Sequence, residues 1–205
     1  MPVDRASGVE GITDAFFTAF LGILGMLVAA HAVRTVLRLQ AEDSLLRAEL
    51  VLSTAVTRTR LAGSHLLFAF VGPPLMLAVA GGLAGLVHGM SGGDPVGSAL
   101  RILAASLAQA PAVWVVAGAT MLLYGAFPRL APSAWGLLVV FLLLGQLGPM
   151  LRLPGWAMNL SPFTHVPPVL VDGPAPVPLA GLVATAFVLA GAGLSAFRRR
   201  DIPTA

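Results

Sequence analysis

The sequence predicts an all-helical membrane protein with about five transmembrane helices, and three observations lead there. Hydrophobic residues make up 57% of the 205 and charged residues only 10%, with a mean hydropathy of +0.90. A soluble domain carries about a quarter charged residues, so a water-soluble globule is excluded, and the chain is far too apolar for disorder. Uncharged stretches of about twenty residues, the length needed to cross about 30 Å of hydrocarbon, recur along the chain. The twelve basic residues are all arginine, and most fall in alternate connections.

Spans are expected at about 13–36, 62–89, 101–126, 131–151 and 176–197, within one transmembrane domain covering residues 1–205. The stretch 154–171 is also uncharged but holds Pro154, Pro162, Pro167 and Pro168. Four prolines remove too many backbone donors for a helix exposed to lipid, so this stretch should cap the outer mouth without crossing. An odd count puts the termini on opposite sides. Arg34, Arg38, Arg47, Arg58, Arg60, Arg129, Arg198, Arg199 and Arg200 fall on one side; Arg5, Arg101 and Arg152 fall on the other. Positive charge favours the cytoplasm, which places the N-terminus outside and the C-terminus inside. Residues 1–11 contain Asp4, Arg5 and Glu10 and do not resemble a cleavable signal peptide. An N-terminus outside without such a signal suggests a preceding helix.

The spans hold many small residues. Gly81 and Gly85 form a GxxxG pair, and Gly181 with Ala184 gives a second pair of small residues, although so many glycines make chance matches common. Pro73, Pro74, Pro111 and Pro149 should kink or break their helices. Among intramembrane polar groups, Gln109 and Gln146 stand out. They are candidates for a pathway, although tying helices together by hydrogen bonds is the simpler role. No acidic residue or arginine lies deep in a span, which argues against proton- or ion-coupled transport. Phe163 and His165 are candidates for an outer gate, with interfacial packing of Phe163 and Trp156 the plainer alternative.

Enzyme readings fail on inventory. There is no cysteine and no HExxH, and the four histidines (31, 65, 88 and 165) are scattered, so no metal-ligand set emerges. No phosphate-binding loop is present, so the chain has no ATP site of its own. The arginines are spread between apolar blocks, which gives no nucleic-acid surface.

The most charged stretch is 38–60, RLQAEDSLLRAELVLSTAVTRTR. Asp43 could cap a short helix over 44–52, with Leu46 and Leu50 on one face. Such a helix could lie in the lipid interface, form a solvated loop or dock on a partner. Its acidic residues disfavour an anionic leaflet, and mixed charge around an apolar ridge suits a protein groove, but composition leaves loop and dock open.

Glu42-Asp43 followed by RAELVLSTAVTRTR resembles the cytoplasmic coupling segment of type-2 exporter permeases of ABC transporters, closest to the polyketide-antibiotic (tetronasin-type) branch. The stretches Asn159-Leu-Ser-Pro-Phe-Thr-His-Val-Pro167 and Phe197-Arg-Arg-Arg-Asp-Ile202 resemble that branch's last outer loop and its cytoplasmic tail. Ala55 and Leu61 stand where the signature often has Pro and Trp. The resemblance begins at what would be the second helix of a six-helix half, so it implies the C-terminal part of a longer permease. It further implies a pathway for a hydrophobic compound such as a polyketide antibiotic or drug, and location in the plasma membrane. Its partners would be the other half of the permease, the lipid and a separate ATP-binding cassette subunit that binds ATP and Mg; no cofactor is expected in this chain. Glu42, Asp43, Arg47 and Glu49, with Thr54 and Arg58 in the turn behind, would form the coupling surface. The alternative is a non-transporting assembly or anchoring subunit derived from such a permease.

Overall fold

The computed structural model describes residues 3–44, 58–148, 151–173 and 175–199. The described residues are helical or in short connections, with no strand among them, and five helical passes are long and apolar enough to cross a membrane. The first pass is α1 (Val3–Ser44) and the second α2 (Arg58–Gly92). The third consists of α3 (Pro95–Leu107) and α4 (Ala110–Ala126). A 3₁₀ turn (Pro128–Ser133) leads into the fourth, α5 (Ala134–Leu147). Short helices α6 (Gly155–Met158) and α7 (Val169–Asp172) flank a 3₁₀ turn (Pro162–His165) and precede the fifth pass, α8 (Pro176–Arg198).

Local chemistry explains the boundaries. Helix α1 does not stop at the membrane edge but continues to Ser44, because Arg38-Leu-Gln-Ala-Glu42 is a run of strong helix formers. Asp43 therefore lies inside α1 and does not cap a new helix at Ser44, as its position in the sequence suggests. The rest of the expected short helix, 45–52, lies outside the described residues. Between α2 and α3 the chain reverses in two residues. Gly93 supplies the positive φ of +81° that favours glycine, Asp94 Oδ1 accepts a 2.9 Å bond from the Gly97 N–H, and Pro95 opens the helix.

The passes surround α4. In the third pass 72% of the most apolar stretch is buried, against 22% for those of α2 and α8 and 17% for that of α5. Val113, Val116, Ala117, Met121 and Tyr124 of α4 join Val28, Ala32, Val33 and Val36 of α1 in the main core. Contact between α4 and α8 is the most extensive of any helix pair, followed by that between α2 and α3.

Glycines set both contacts. A Cβ on Gly193 would lie 2.6 Å from Leu122 N and from Met121 C, and one on Gly118 would lie 2.8 Å from Ala186 O. A Cβ on Gly85 would meet Ala99 Cα at 2.6 Å, and the same row continues through Gly81 against Ser106 and Gly89 against Pro95. Close backbone approach of this kind maximises van der Waals contact where lipid gives helices no hydrophobic drive to associate. The Gly81–Gly85 pair is thus a real contact, extended by one turn. The Gly181–Ala184 pair is not: a Cβ on Gly181 would meet nothing within 4 Å, and both residues are exposed.

Candidate functional site

One end of the bundle gathers Asp14 and Phe17 of α1, His88 of α2, Arg101 of α3 and Leu170 of α7. Arg101 Nη2 pairs with Asp14 Oδ2 at 3.2 Å, and the Phe17 and His88 rings meet edge-on at 5.0 Å. The pair is substantially exposed, so it is worth at most about 1 kcal/mol. Arg38, Arg129 and Arg198 fall at the opposite ends of their passes, where the Tyr124 and Phe197 rings pack at 5.5 Å.

Residues 155–172 form only short helices and a 3₁₀ turn, none long enough to span a membrane, and fold back against the bundle at the first end. The segment's hydroxyl groups bond backbone carbonyls of α5 and of the segment itself. Ser161, fully buried, donates to the Phe141 carbonyl of α5 at 3.0 Å. Thr164 Oγ1 lies 2.8 Å from Met158 O and 2.7 Å from Ser161 O. Irregular backbone is tolerated at membrane depth when protein covers it in this way. Pro162 is buried and Phe163 packs against the core, whereas Trp156 is exposed.

The third pass breaks at Ala108–Gln109, as Pro111 predicts; the Pro is accommodated in the first turn of α4. The break turns Gln109 toward α1, where its Oε1 would lie 3.0 Å from a Cβ on Gly25. Gln146 reaches the same helix: its Nε2 lies 3.9 Å from Met26 Sδ, a weak contact with a poor acceptor. Gln109, Gln146 and Phe163 line one cavity of about 200 Å³, with Thr18, Gly22 and Met26 of α1 on its wall. Among the described residues Gln146 thus links its helix to α1 only through the thioether, and the Gln109 amide has no hydrogen-bond partner. His165 does not share this cavity. It is exposed, with Nδ1 3.1 Å from Ser161 O, and lines a separate cleft of about 410 Å³ with Asn159, Gly181 and Thr185.

Of the expected coupling residues, Glu42 and Asp43 lie in the last turns of α1, and Arg58 is the first residue of α2. Arg47, Glu49 and Thr54 lie outside the described residues.

Trp114 holds a position the sequence reading passed over. Helix α2 runs on through Pro73 and Pro74, but Pro74 has no N–H for the Phe70 carbonyl one turn earlier. Trp114 Nε1–H of α4 donates to that carbonyl at 2.7 Å, while its ring stacks on Phe70 at 5.7 Å. Trp114→Phe keeps the ring and strands the carbonyl, at an expected cost of about 1–3 kcal/mol. In a Pro74→Ala background, where the helix can supply its own donor, the same change should cost about 1 kcal/mol less. Denaturation midpoints of the four proteins in detergent measure this coupling; equal costs in both backgrounds contradict it.

Residues 2–198 match the family described as "Multidrug efflux system permease Rv1217c, C-terminal domain". The chain is 40% identical over 200 residues to the multidrug efflux system permease protein Rv1217c of Mycobacterium tuberculosis, covering 98% of this chain and 36% of that protein. These descriptions speak of multidrug efflux and name no polyketide-antibiotic branch, so the match supports the permease and not the narrower tetronasin-type assignment. With matched sequence running through all five apolar passes, the chain belongs to the family of the C-terminal domain of this efflux permease.

Proposed function

We propose that this chain forms part of the translocation pathway of an ATP-driven exporter of hydrophobic compounds in the plasma membrane. The observation that carries the reading is the family match, since the relative is a multidrug efflux permease. In this reading ATP and Mg are bound by a separate ATP-binding cassette subunit, in keeping with a sequence that carries no phosphate-binding loop. The remainder of the permease completes the pathway. Neutral apolar drugs are the expected cargo, and polyketide antibiotics are the narrower form that the loop and tail motifs favour.

In this reading α1 and α2 are levers. They project beyond the membrane as the two arms of the segment 38–60, and Glu42, Asp43, Arg47, Glu49, Thr54 and Arg58 form the surface on which the ATP-binding subunit pushes. Movement reaches α4 through the α1–α4 core and the Trp114 contact. Gln109, Gln146 and Phe163 then lie on the pathway, and His165 at its outer mouth.

The reading requires the arginine-rich end to face the cytoplasm. Cysteines introduced at Ser91 and Thr54 test this, because the parent chain has none. In intact cells a membrane-impermeant maleimide should label Ser91→Cys and reach Thr54→Cys only after permeabilisation. Labelling of both from outside contradicts the orientation and removes the basis for a cytoplasmic coupling segment.

A further inference from the structure

We infer that the cavity between α1, α5 and the α3–α4 break is a binding subsite for the uncharged, hydrogen-bonding head of an amphiphile whose apolar remainder stays in the bilayer. The inference deepens the export reading and rests on it for the source of the ligand.

Gln109 is the starting point. Its side chain is buried, with only 8% of the residue exposed, and it has no hydrogen-bond partner among the described residues. A buried amide left unpaired is costly, and native structures rarely keep one without a water or ligand to satisfy it. A second amide, Gln146, meets only a thioether and lines the same space. The Thr18 hydroxyl donates to Asp14 O at 2.8 Å and keeps its lone pairs for an incoming donor. Three polar side chains thus converge in a bundle whose interior is otherwise mostly apolar.

Glycines keep the space open. A Cβ on Gly25 would press on Gln109 at 3.0 Å, and one on Gly145 would lie 3.1 Å from Met26 Cε. Both glycines hold back side chains that would otherwise displace the cavity's lining.

The lining selects the ligand. It carries no formal charge, so a cation or carboxylate would lose its hydration without compensation. Amides both donate and accept, which suits hydroxyl, ester or amide groups. About 200 Å³ is less than the roughly 300–1,000 Å³ of a site for a whole drug-sized molecule, so the cavity takes the polar head. Ile23 and Leu27 follow the lining residues Gly22 and Met26 of α1, and Leu142 and Leu143 precede Gly145 of α5; all four are exposed and apolar, and the tail would run along that lipid-facing surface.

The test uses the permease in phosphatidylcholine nanodiscs and three photoreactive probes of one chain length, each bearing a diazirine. They are a monoacylglycerol, its dimethyl ether, and a quaternary ammonium analogue. The monoacylglycerol should crosslink to 18–26, 109, 146 or 163–168 about five- to tenfold more than either analogue, a difference expected from one or two lost hydrogen bonds. Gln109→Leu should reduce it to the level of the ether, and Gln109→Asn should restore part of the difference. Gln109→Leu removes an amide with no partner among the described residues, so the denaturation midpoint should hold or rise, which separates lost binding from lost folding. Excess phospholipid of the nanodisc should not compete, whereas an excess of unlabelled monoacylglycerol should. Equal labelling by monoacylglycerol and ether, or labelling indifferent to Gln109→Leu, overturns the subsite and leaves a water-filled void. Selective labelling without ATP-driven movement of the probe upholds the subsite and counts against the export reading alone.

Discussion

Leucine at Gly193 is expected to force α8 away from α4 and to cost the protein most of its folded yield. The atoms that an added Cβ would meet, Leu122 N and the Met121 carbonyl, are backbone and cannot rotate aside. Gly125 faces Gly193 across the same crossing and Gly118 faces Ala186 O two turns away, so the helices cannot slide to a roomier register. The cost should reach the upper end of the about 1–3 kcal/mol typical of overpacking, or exceed it, because this is the most extensive helix contact in the bundle. Gly191→Leu is the matched control. It lies two residues away on the same helix, is exposed, and has nothing within 4 Å of a Cβ. Leucine there faces lipid and should leave stability within about 0.5 kcal/mol of the parent. Size-exclusion profiles and denaturation midpoints in detergent measure both. Equal behaviour of the two variants contradicts the close-packed crossing.

Reversing Glu42, Asp43 and Glu49 to arginine is expected to leave the chain in the membrane and to release the ATP-binding subunit. Insertion should survive because, on the proposed orientation, the added charges need not enter the hydrocarbon and would strengthen the cytoplasmic bias of positive residues. Binding should not, since a repelling charge in a buried interface costs about 2–5 kcal/mol. A loss of about 2.8 kcal/mol is about a hundredfold in affinity, which co-purification detects. Asp172→Arg, an exposed change at the opposite end of the bundle, serves as the control. Asp94 is unsuitable there because it caps α3. Retention of the partner by the triple variant contradicts the coupling surface and makes 38–60 an ordinary connection.

The five passes were legible because span length and charge exclusion are properties of composition, and transfer to hydrocarbon acts on composition. Boundaries were less so. The start of α3 at Pro95 comes from Gly93-Asp94-Pro95, three residues whose turn and cap chemistry lies outside the apolar block that marks the span. The extension of α1 to Ser44 depends on helix propensity beyond the membrane, which hydropathy does not report.

Site geometry was legible only in part. Pro111 announced the break that turns Gln109 toward α1, and Pro74 cannot donate to the Phe70 carbonyl, but nothing in the sequence says that Trp114 takes it up. Nor does spacing reveal that residues 109, 146 and 163, on three separate elements, share one cavity while His165 turns to another. Small-residue spacing was no better guide. Gly81 and Gly85 form a contact and Gly181 does not, because the partner helix decides which face of α8 is covered.

Inside-out membrane vesicles carrying this chain, the remainder of the permease and the ATP-binding subunit test the central claim most directly. On addition of ATP and Mg they should take up the neutral dye Nile red. Uptake should fall to the background without ATP when this chain is omitted or when Glu42, Asp43 and Glu49 are reversed. ATP-driven uptake that is indifferent to both changes, or an assembled complex that moves no dye, would contradict the account.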